Sequence, residues 1–196
     1  MKKYFVLVAS PPACGKTFVS ELIAESLKQC TYLDKDDLAP LLRRIFKLQG
    51  EKLNMDGDFY LEHLRSVEYE TILRIALSAL RFENTVILNA PFIKEVRDCD
   101  YMCKLKEQAN AYNAKLVLVW VVAPAEICYE RMKKRNAERD ALKLANWNDY
   151  IKTVDYTAPF ALKTENAIDT LIVFDTTNDE TIKIALSQTL KILKGL

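Results

Sequence analysis

The stretch Tyr4-Phe5-Val6-Leu7-Val8-Ala9-Ser10-Pro11-Pro12-Ala13-Cys14-Gly15-Lys16-Thr17 carries three structural instructions in succession. Tyr4–Ala9 is an unbroken apolar run, the pattern of a strand buried on both faces. It is too short for a signal-peptide core and far short of the roughly 18 apolar residues of a membrane span. Two prolines and a glycine then break the run. From Thr17 onward Phe18, Val19, Leu22, Ile23 and Leu27 recur at helical spacing. A loop between a buried strand and a helix N-terminus presents unpaired N–H groups at the positive end of the helix dipole, so it attracts anions. Pro11 and Pro12 have no N–H to give. The donors must therefore come from Ala13 to Thr17.

The rest of the chain repeats this alternation. Further strands are expected at Thr31–Asp34, Thr85–Asn89, Lys115–Ala123 and Leu171–Asp175. Helices are expected at Leu38–Leu48, Phe59–Phe82, near Arg97–Tyr112, from Ala125 to about Asn136, and from Asp179 to Leu193. Five apolar strands alternating with amphipathic helices imply an α/β fold, a parallel sheet with helices on both faces. Ligands on such sheets sit beyond the carboxyl ends of the strands. The 196 residues are read as one domain.

Composition sets the limits. Half the residues are hydrophobic and 28% are charged, which excludes a disordered or fibrous chain. With 28 basic against 27 acidic residues, no overall positive field supports a general nucleic-acid binder. Five scattered cysteines and no secretory pattern point to reduced thiols and a cytoplasmic location. His63 is the only histidine, so neither a histidine metal site nor a Ser-His-Asp triad can be built. Cys99 and Cys103 lack a second ligand pair and read as partly buried thiols rather than zinc ligands.

The loop matches the pattern G-x-x-x-x-G-K-[ST] in its last three positions, with Ser10 where the first glycine stands. Gly15 permits close backbone approach, Lys16 reaches terminal phosphates, and Thr17 offers a hydroxyl to magnesium. The Cys14 thiol, beside Lys16 at a helix N-terminus, is expected to be acidified and reactive, incidentally to catalysis. On these residues and their strand–loop–helix setting, the chain resembles the P-loop kinases of small molecules and nucleotides. In particular it resembles the AAA-type "predicted kinase" group related to polynucleotide kinase, zeta toxin and gluconate kinase. The resemblance implies a three-layer P-loop NTPase fold with strand order 2-3-1-4-5. It also implies ATP, Mg2+ and a helical lid that closes over the phosphates.

The resemblance also suggests which residues act. In Asp34-Lys35-Asp36-Asp37-Leu38, Asp36 best matches the aspartate that faces the acceptor hydroxyl, with Lys35 in place of an arginine and Asp37 as its substitute. These acids would equally cap the next helix. A Walker B strand of an ATPase would end in aspartate, often followed by glutamate. Here the strand ends Asn89-Ala90-Pro91, without a water-activating carboxylate, which favours transfer to a bound acceptor. Asn89 either bonds the acceptor or a magnesium-bound water, or simply forms a turn before Pro91. Arg97 either holds an anionic acceptor or is solvated.

Arg131, Arg135 and Arg139 recur four apart on one helical face, where a lid of about residues 131–150 would begin. There they would neutralise the transferred phosphoryl group, or else form a solvated face with Glu130 and Glu138. Trp147 and Tyr150 either stack on a base or sugar or pin the lid to the core. The acceptor region is expected at about residues 36–82, with a flap at 48–58 and Lys47, Lys52 and Arg65 in reach of an anionic acceptor.

The expected activity is therefore transfer of the γ-phosphoryl of Mg-ATP to a hydroxyl or phosphate of a small molecule or nucleotide. Catalysis falls to Lys16, Asp36, Arg131 and Arg135. Nucleotide binding falls to Ala13, Cys14, Gly15, Lys16, Thr17 and Arg131, acceptor binding to Asp36, Asn89, Arg97 and Arg139, and the metal to Thr17. Two alternatives stay open: an ATP-binding regulator, and a polynucleotide 5′-hydroxyl kinase, which the neutral net charge disfavours. The acceptor and the oligomeric state are not legible in the sequence.

Overall fold

The computed structural model describes residues 2–137 and 140–195. Five strands, β1 (Lys3–Ala9), β2 (Thr31–Asp34), β3 (Thr85–Asn89), β4 (Ala114–Val122) and β5 (Thr170–Asp175), form one sheet in the order β2-β3-β1-β4-β5. Every pairing is parallel. The register sets Asn89 beside both Val8 and Asp34, so the carboxyl ends of β1, β2 and β3 finish side by side.

The unbroken apolar runs are explained by two cores, one on each face. Phe5, Leu7, Val86, Leu88, Leu116, Leu118 and Trp120 face α3 (Arg65–Ala79) and α4 (Cys99–Asn110), meeting Tyr69, Ile72, Met102 and Leu105. Their neighbours Tyr4, Val6, Val8, Ile87, Val117 and Val119 face the opposite way, packing with Val19 and Ile23 of α1 (Lys16–Leu27) and with Ala185 and Leu193 of the C-terminal helix, Asp179–Lys194. Each such side chain, fully withdrawn from water, contributes roughly 1.5–3 kcal/mol. The pleat sends alternate residues to opposite faces, which is why a strand with helices on both sides must be apolar throughout.

A third, smaller cluster of Leu42, Phe46 and Tyr60 lies away from the sheet, packed by Leu53, Met55, Phe59 and Leu64. It joins α2 (Ala39–Leu48) to a single π-helical turn at Tyr60–Leu64. Here the structure departs from the expected continuous helix over Phe59–Phe82. The π turn shifts the phase, so that Tyr60 enters this cluster while Tyr69 and Ile72 of α3 face the sheet. The region expected as a helix near Arg97–Tyr112 is likewise divided. A 3-10 turn at Glu95–Arg97 precedes α4, whose start is fixed by Asp98 accepting the Tyr101 N–H at 3.0 Å.

Beyond β4 lie α5 (Ala125–Arg135) and the short helices α6 (Ala141–Ala145), α7 (Trp147–Thr153) and α8 (Ala161–Thr164). The C-terminal helix, α9, opens with a capping box between Asn178 and Thr181. Among the described residues no helix is long and apolar enough to cross a membrane.

Candidate active site

The loop between β1 and α1 is shaped by two left-handed residues, Ala13 (φ 64°) and Gly15 (φ 93°). At Gly15 a Cβ would meet only ordinary contacts, the nearest being an Arg131 guanidinium nitrogen at 3.5 Å. The backbone conformation, not lack of space, therefore calls for glycine there. Ser10, in the place of the first glycine of the pattern, is buried and donates its hydroxyl to the Pro11 carbonyl at 2.8 Å. It replaces backbone freedom with a local hydrogen bond.

Arg131 secures the loop from behind. Its guanidinium donates to the carbonyls of Cys14 (3.1 Å) and Ala13 (3.4 Å), to the Thr176 hydroxyl (3.0 Å) and to the Thr176 carbonyl (2.7 Å). Thr176, just beyond β5, donates to the Cys14 carbonyl at 2.7 Å. With the carbonyls of the loop turned toward α5 and β5, its N–H groups are left for the opposite side.

On that opposite side Asn89 is a hub. It is fully buried, and its Oδ1 accepts from the Lys16 ammonium. Its Nδ2 faces the Asp34 carboxylate at 2.5 Å, the Thr17 hydroxyl at 3.2 Å and the Tyr32 hydroxyl at 3.3 Å. Tyr32 further meets Asp34 and Ser20, each at 3.3 Å. Burial raises the Tyr32 phenol above its ordinary value, although the Ser20 bond works against it. Lys16, Thr17 and Asn89 are thus brought together, with an Asp34 carboxylate that sequence reasoning had taken only as a cap. Asp34 does cap, accepting the Asp36 N–H at 2.9 Å with its other oxygen. The signal for its second role was the shared end point of β2 and β3.

Asp36 lies at the rim, its side chain 62% exposed, 3.5 Å from the Lys35 ammonium. Lys35 itself is buried and paired with the buried Glu68 at 2.9 Å, and Glu68 also accepts from the Tyr60 hydroxyl. Burial and the Glu68 hydrogen bond both raise the Tyr60 phenol. The lysine taken to stand for an arginine therefore ties the β2 end to α3 and the π turn. Nearby, Arg65 is held by Glu95 at 2.7 Å and covers the Tyr69 ring at 4.4 Å.

Arg97 and Arg135 are engaged by other partners. Arg97 donates to the Thr157 carbonyl at 2.6 Å, pairs with Asp155 at 3.1 Å and lies 5.2 Å from the Trp120 ring. Arg135 makes a two-pronged contact with the buried Asp140, at 2.9 and 2.5 Å. Arg139 lies outside the described residues, as does Glu138. Trp147 packs on Tyr129 (5.0 Å) and Tyr150 (5.7 Å) and joins the core cluster beneath α5.

Cys14 corrects one expectation. Its side chain points away from the loop surface into the core, fully buried, with its sulfur 3.7 Å from that of Cys128. The bond to Cys128 and burial raise its pKa, so helix-terminus acidification is not realised there. Cys128 is shifted the other way, chiefly by the hydrogen bond from Cys14, with help from the Arg131 charge.

Among the described residues no three His, Cys, Asp or Glu side chains cluster to hold a metal on their own. Thr17 and Asp34, both bonded to the Asn89 amide, offer a hydroxyl and a carboxylate. That is a fitting set for Mg2+, which takes one or two carboxylates and completes its shell with waters and phosphate oxygens.

The fold is that of a P-loop NTPase, and the family model described as AAA domain matches residues 6–156. The chain belongs to that family. No curated protein sequence matches it. Solved structures align over nearly the whole length. A protein of Chloroflexus aurantiacus named as a candidate kinase is 16% identical, with a TM-score of 0.61 and 99% and 97% of the two chains covered. Shikimate kinase of Bacteroides thetaiotaomicron is 15% identical, with a TM-score of 0.55 and coverage of 97% and 98%. Kti12 of Chaetomium thermophilum, solved with ADP-AlF3, is 12% identical, with a TM-score of 0.57 and coverage of 96% and 98%. At such identities the likeness establishes the fold.

Proposed function

We propose that this protein is an ATP-dependent kinase that transfers the γ-phosphoryl group to a hydroxyl or phosphate of a small molecule or nucleotide. The observation that carries the reading is the convergence of Lys16, Thr17 and Asp34 on the buried amide of Asn89, beside a loop whose carbonyls Arg131 and Thr176 hold away. The N–H groups of Ala13 to Thr17 bind phosphate oxygens, and the Lys16 ammonium moves from Asn89 to the terminal phosphates. Thr17 and Asp34 would hold Mg2+, which when bound would neutralise charge on the phosphates. Asn89 keeps both ligands oriented. Asp36 accepts the proton of the acceptor hydroxyl at the open rim. Arg131 acts as a positioning residue for the loop and borders a shallow cleft of about 380 Å³ lined by Glu126, Ile127, Glu130 and Lys134. Residues from about 131 to 150, with Arg135 held to Asp140, serve as the lid, and residues 36–82 form the acceptor region. The chain works as a single domain in the cytoplasm.

The test is ATP consumption with and without a panel of sugars, polyols, nucleosides, nucleotides and 5′-hydroxyl oligonucleotides, beside Lys16→Ala, Asp34→Asn and Asp36→Asn. One acceptor should raise turnover well above the basal rate, and Asp36→Asn should lower turnover while leaving ATP affinity intact. Tight Lys16-dependent ATP binding that no acceptor converts to turnover supports the regulator instead. No ATP binding at all refutes both.

A further inference from the structure

Two thiols that the proposed reaction does not use lie directly beneath the phosphate loop. Cys14 belongs to the loop's donor run, between the left-handed Ala13 and Gly15. Cys128 stands on α5, one helical turn before Arg131, whose guanidinium holds the Cys14 carbonyl at 3.1 Å. The two sulfurs are 3.7 Å apart and both side chains are fully buried. Cys30, Cys99 and Cys103 are only partly buried and lie elsewhere on the fold.

We propose that Cys14 and Cys128 are a redox-sensitive pair whose disulfide closes the phosphate loop to nucleotide. The second half of this statement rests on the nucleotide-binding reading of the loop. A disulfide needs its sulfurs about 2.0 Å apart, so a gap of nearly 1.7 Å must be taken up. Both thiols are packed in the core, but Cys128 and Met132 are held within the hydrogen-bonded α5, whereas Cys14 stands in a loop outside any helix or strand. The shift therefore falls on the loop. Drawing Cys14 toward α5 turns its peptide unit, and the N–H groups beside it, out of the phosphate nest.

The oxidant is a low-molecular-weight disulfide. The Cys128 thiol, after giving its proton to solvent, attacks one sulfur of the oxidant, whose S–S bond breaks and releases one thiol. Cys14, likewise deprotonated, then attacks the mixed disulfide, and the second small thiol leaves. Two protein thiols are oxidised and one small disulfide is reduced to two thiols. Burial means that the first step needs the loop to lift, so an occupied loop protects the pair. Thermodynamic reciprocity requires the same: a disulfide that weakens nucleotide binding is itself disfavoured by nucleotide to an equal factor.

The experiment uses the full chain with Cys30, Cys99 and Cys103 replaced by serine, alongside the unsubstituted protein. Each is equilibrated with reduced or oxidised glutathione, and read by intact mass, by peptide mapping and by binding of a fluorescent ATP analogue with Mg2+. Oxidation should remove about 2 Da, reversibly with dithiothreitol, as a Cys14–Cys128 linkage. It should weaken the analogue about tenfold or more, and bound Mg-ATP should lower the oxidised fraction. Cys128→Ser should abolish both effects. The proposal is overturned if protein of native circular dichroism forms no such linkage, or forms it with unchanged affinity. If the reduced protein binds no analogue while the linkage still appears by mass, the nucleotide reading fails and the closing of the loop fails with it, leaving the disulfide alone.

Discussion

Replacing Asn89 by aspartate would restore the residue that a Walker B strand usually carries, and pattern matching alone would call the change harmless. The structure says otherwise. The Asn89 Nδ2 that faces Asp34 at 2.5 Å would become a second carboxylate oxygen, with no proton between the two. A hydrogen bond to a charged group, worth about 1.5–3 kcal/mol, is lost. Repulsion between two unit charges near 4 Å adds about 4 kcal/mol at an effective dielectric of 20. The Lys16 ammonium, already bonded to Asn89, offsets much of that repulsion. A net loss of about 2–4 kcal/mol follows, or roughly 4–16 °C in Tm for a chain of this size. The sign with pH is fixed by the same geometry. The paired carboxylates share a proton whose folded-state pKa lies above the unfolded value, so the penalty is full above that folded pKa and fades as pH falls through it. Thermal unfolding of Asn89→Asp beside the unsubstituted protein, without Mg2+, should show a deficit that shrinks from pH 8 to pH 5. An equal or higher Tm for Asn89→Asp at pH 8, or a deficit independent of pH, would refute the hub as described.

Lys35→Met should cost about 3–5 kcal/mol, because it leaves the buried Glu68 charge unpaired, whereas Lys35→Met with Glu68→Leu should recover most of that loss in denaturant titration. Six tyrosines, Tyr32, Tyr60, Tyr69, Tyr101, Tyr150 and Tyr156, are raised chiefly by burial, Tyr101 and Tyr150 to about 12. In the unfolded chain they ionise near pH 10, so the folded state binds more protons between about pH 10 and 12 and stability must fall across that window. Ultraviolet titration of the native protein should show a phenol class ionising late, with unfolding beginning before it finishes; six phenols titrating freely near pH 10 in folded protein would contradict the burial.

The sheet was legible because burial on both faces leaves little choice of residue: β2 and β3 have the limits that their sequences imply, and the strand order follows from the family. The placing of Lys16, Thr17 and Asn89 at strand ends or on the first helical turn was legible in the same way, but the bonds of Asn89 to Lys16 and Thr17 were not, since its residue type fits a turn before Pro91 equally well. What sequence spacing could not supply was direction. Arg131 and Arg135 share a helical face by count, yet one reaches back to the loop carbonyls and the other forward to Asp140, because long side chains settle on their nearest acceptors. Lys35 reads as the stand-in for an arginine beside Asp36, but its partner Glu68 is distant in sequence and only the packing of α3 brings them together. Cys14 was misread for a related reason. Residues on either side of it are left-handed, and that twist turns its thiol inward, a backbone feature that no residue in the loop announces.

The placement of β1 at the centre of the sheet has a kinetic consequence. Its Tyr4 lies between Thr85 and Lys115, so the first strand made has no partner until much of the chain has followed it. Contacts this far apart in sequence form slowly, since the intervening chain must be closed into loops before they are rewarded. The phosphate loop hangs from β1 and is clamped by Arg131 and by Thr176, the latter beyond the last strand. It therefore acquires its shape only after the C-terminal third of the chain has docked. Nucleotide binding during refolding would then report completion of the whole architecture, and should lag behind the burst of helical signal instead of rising with it.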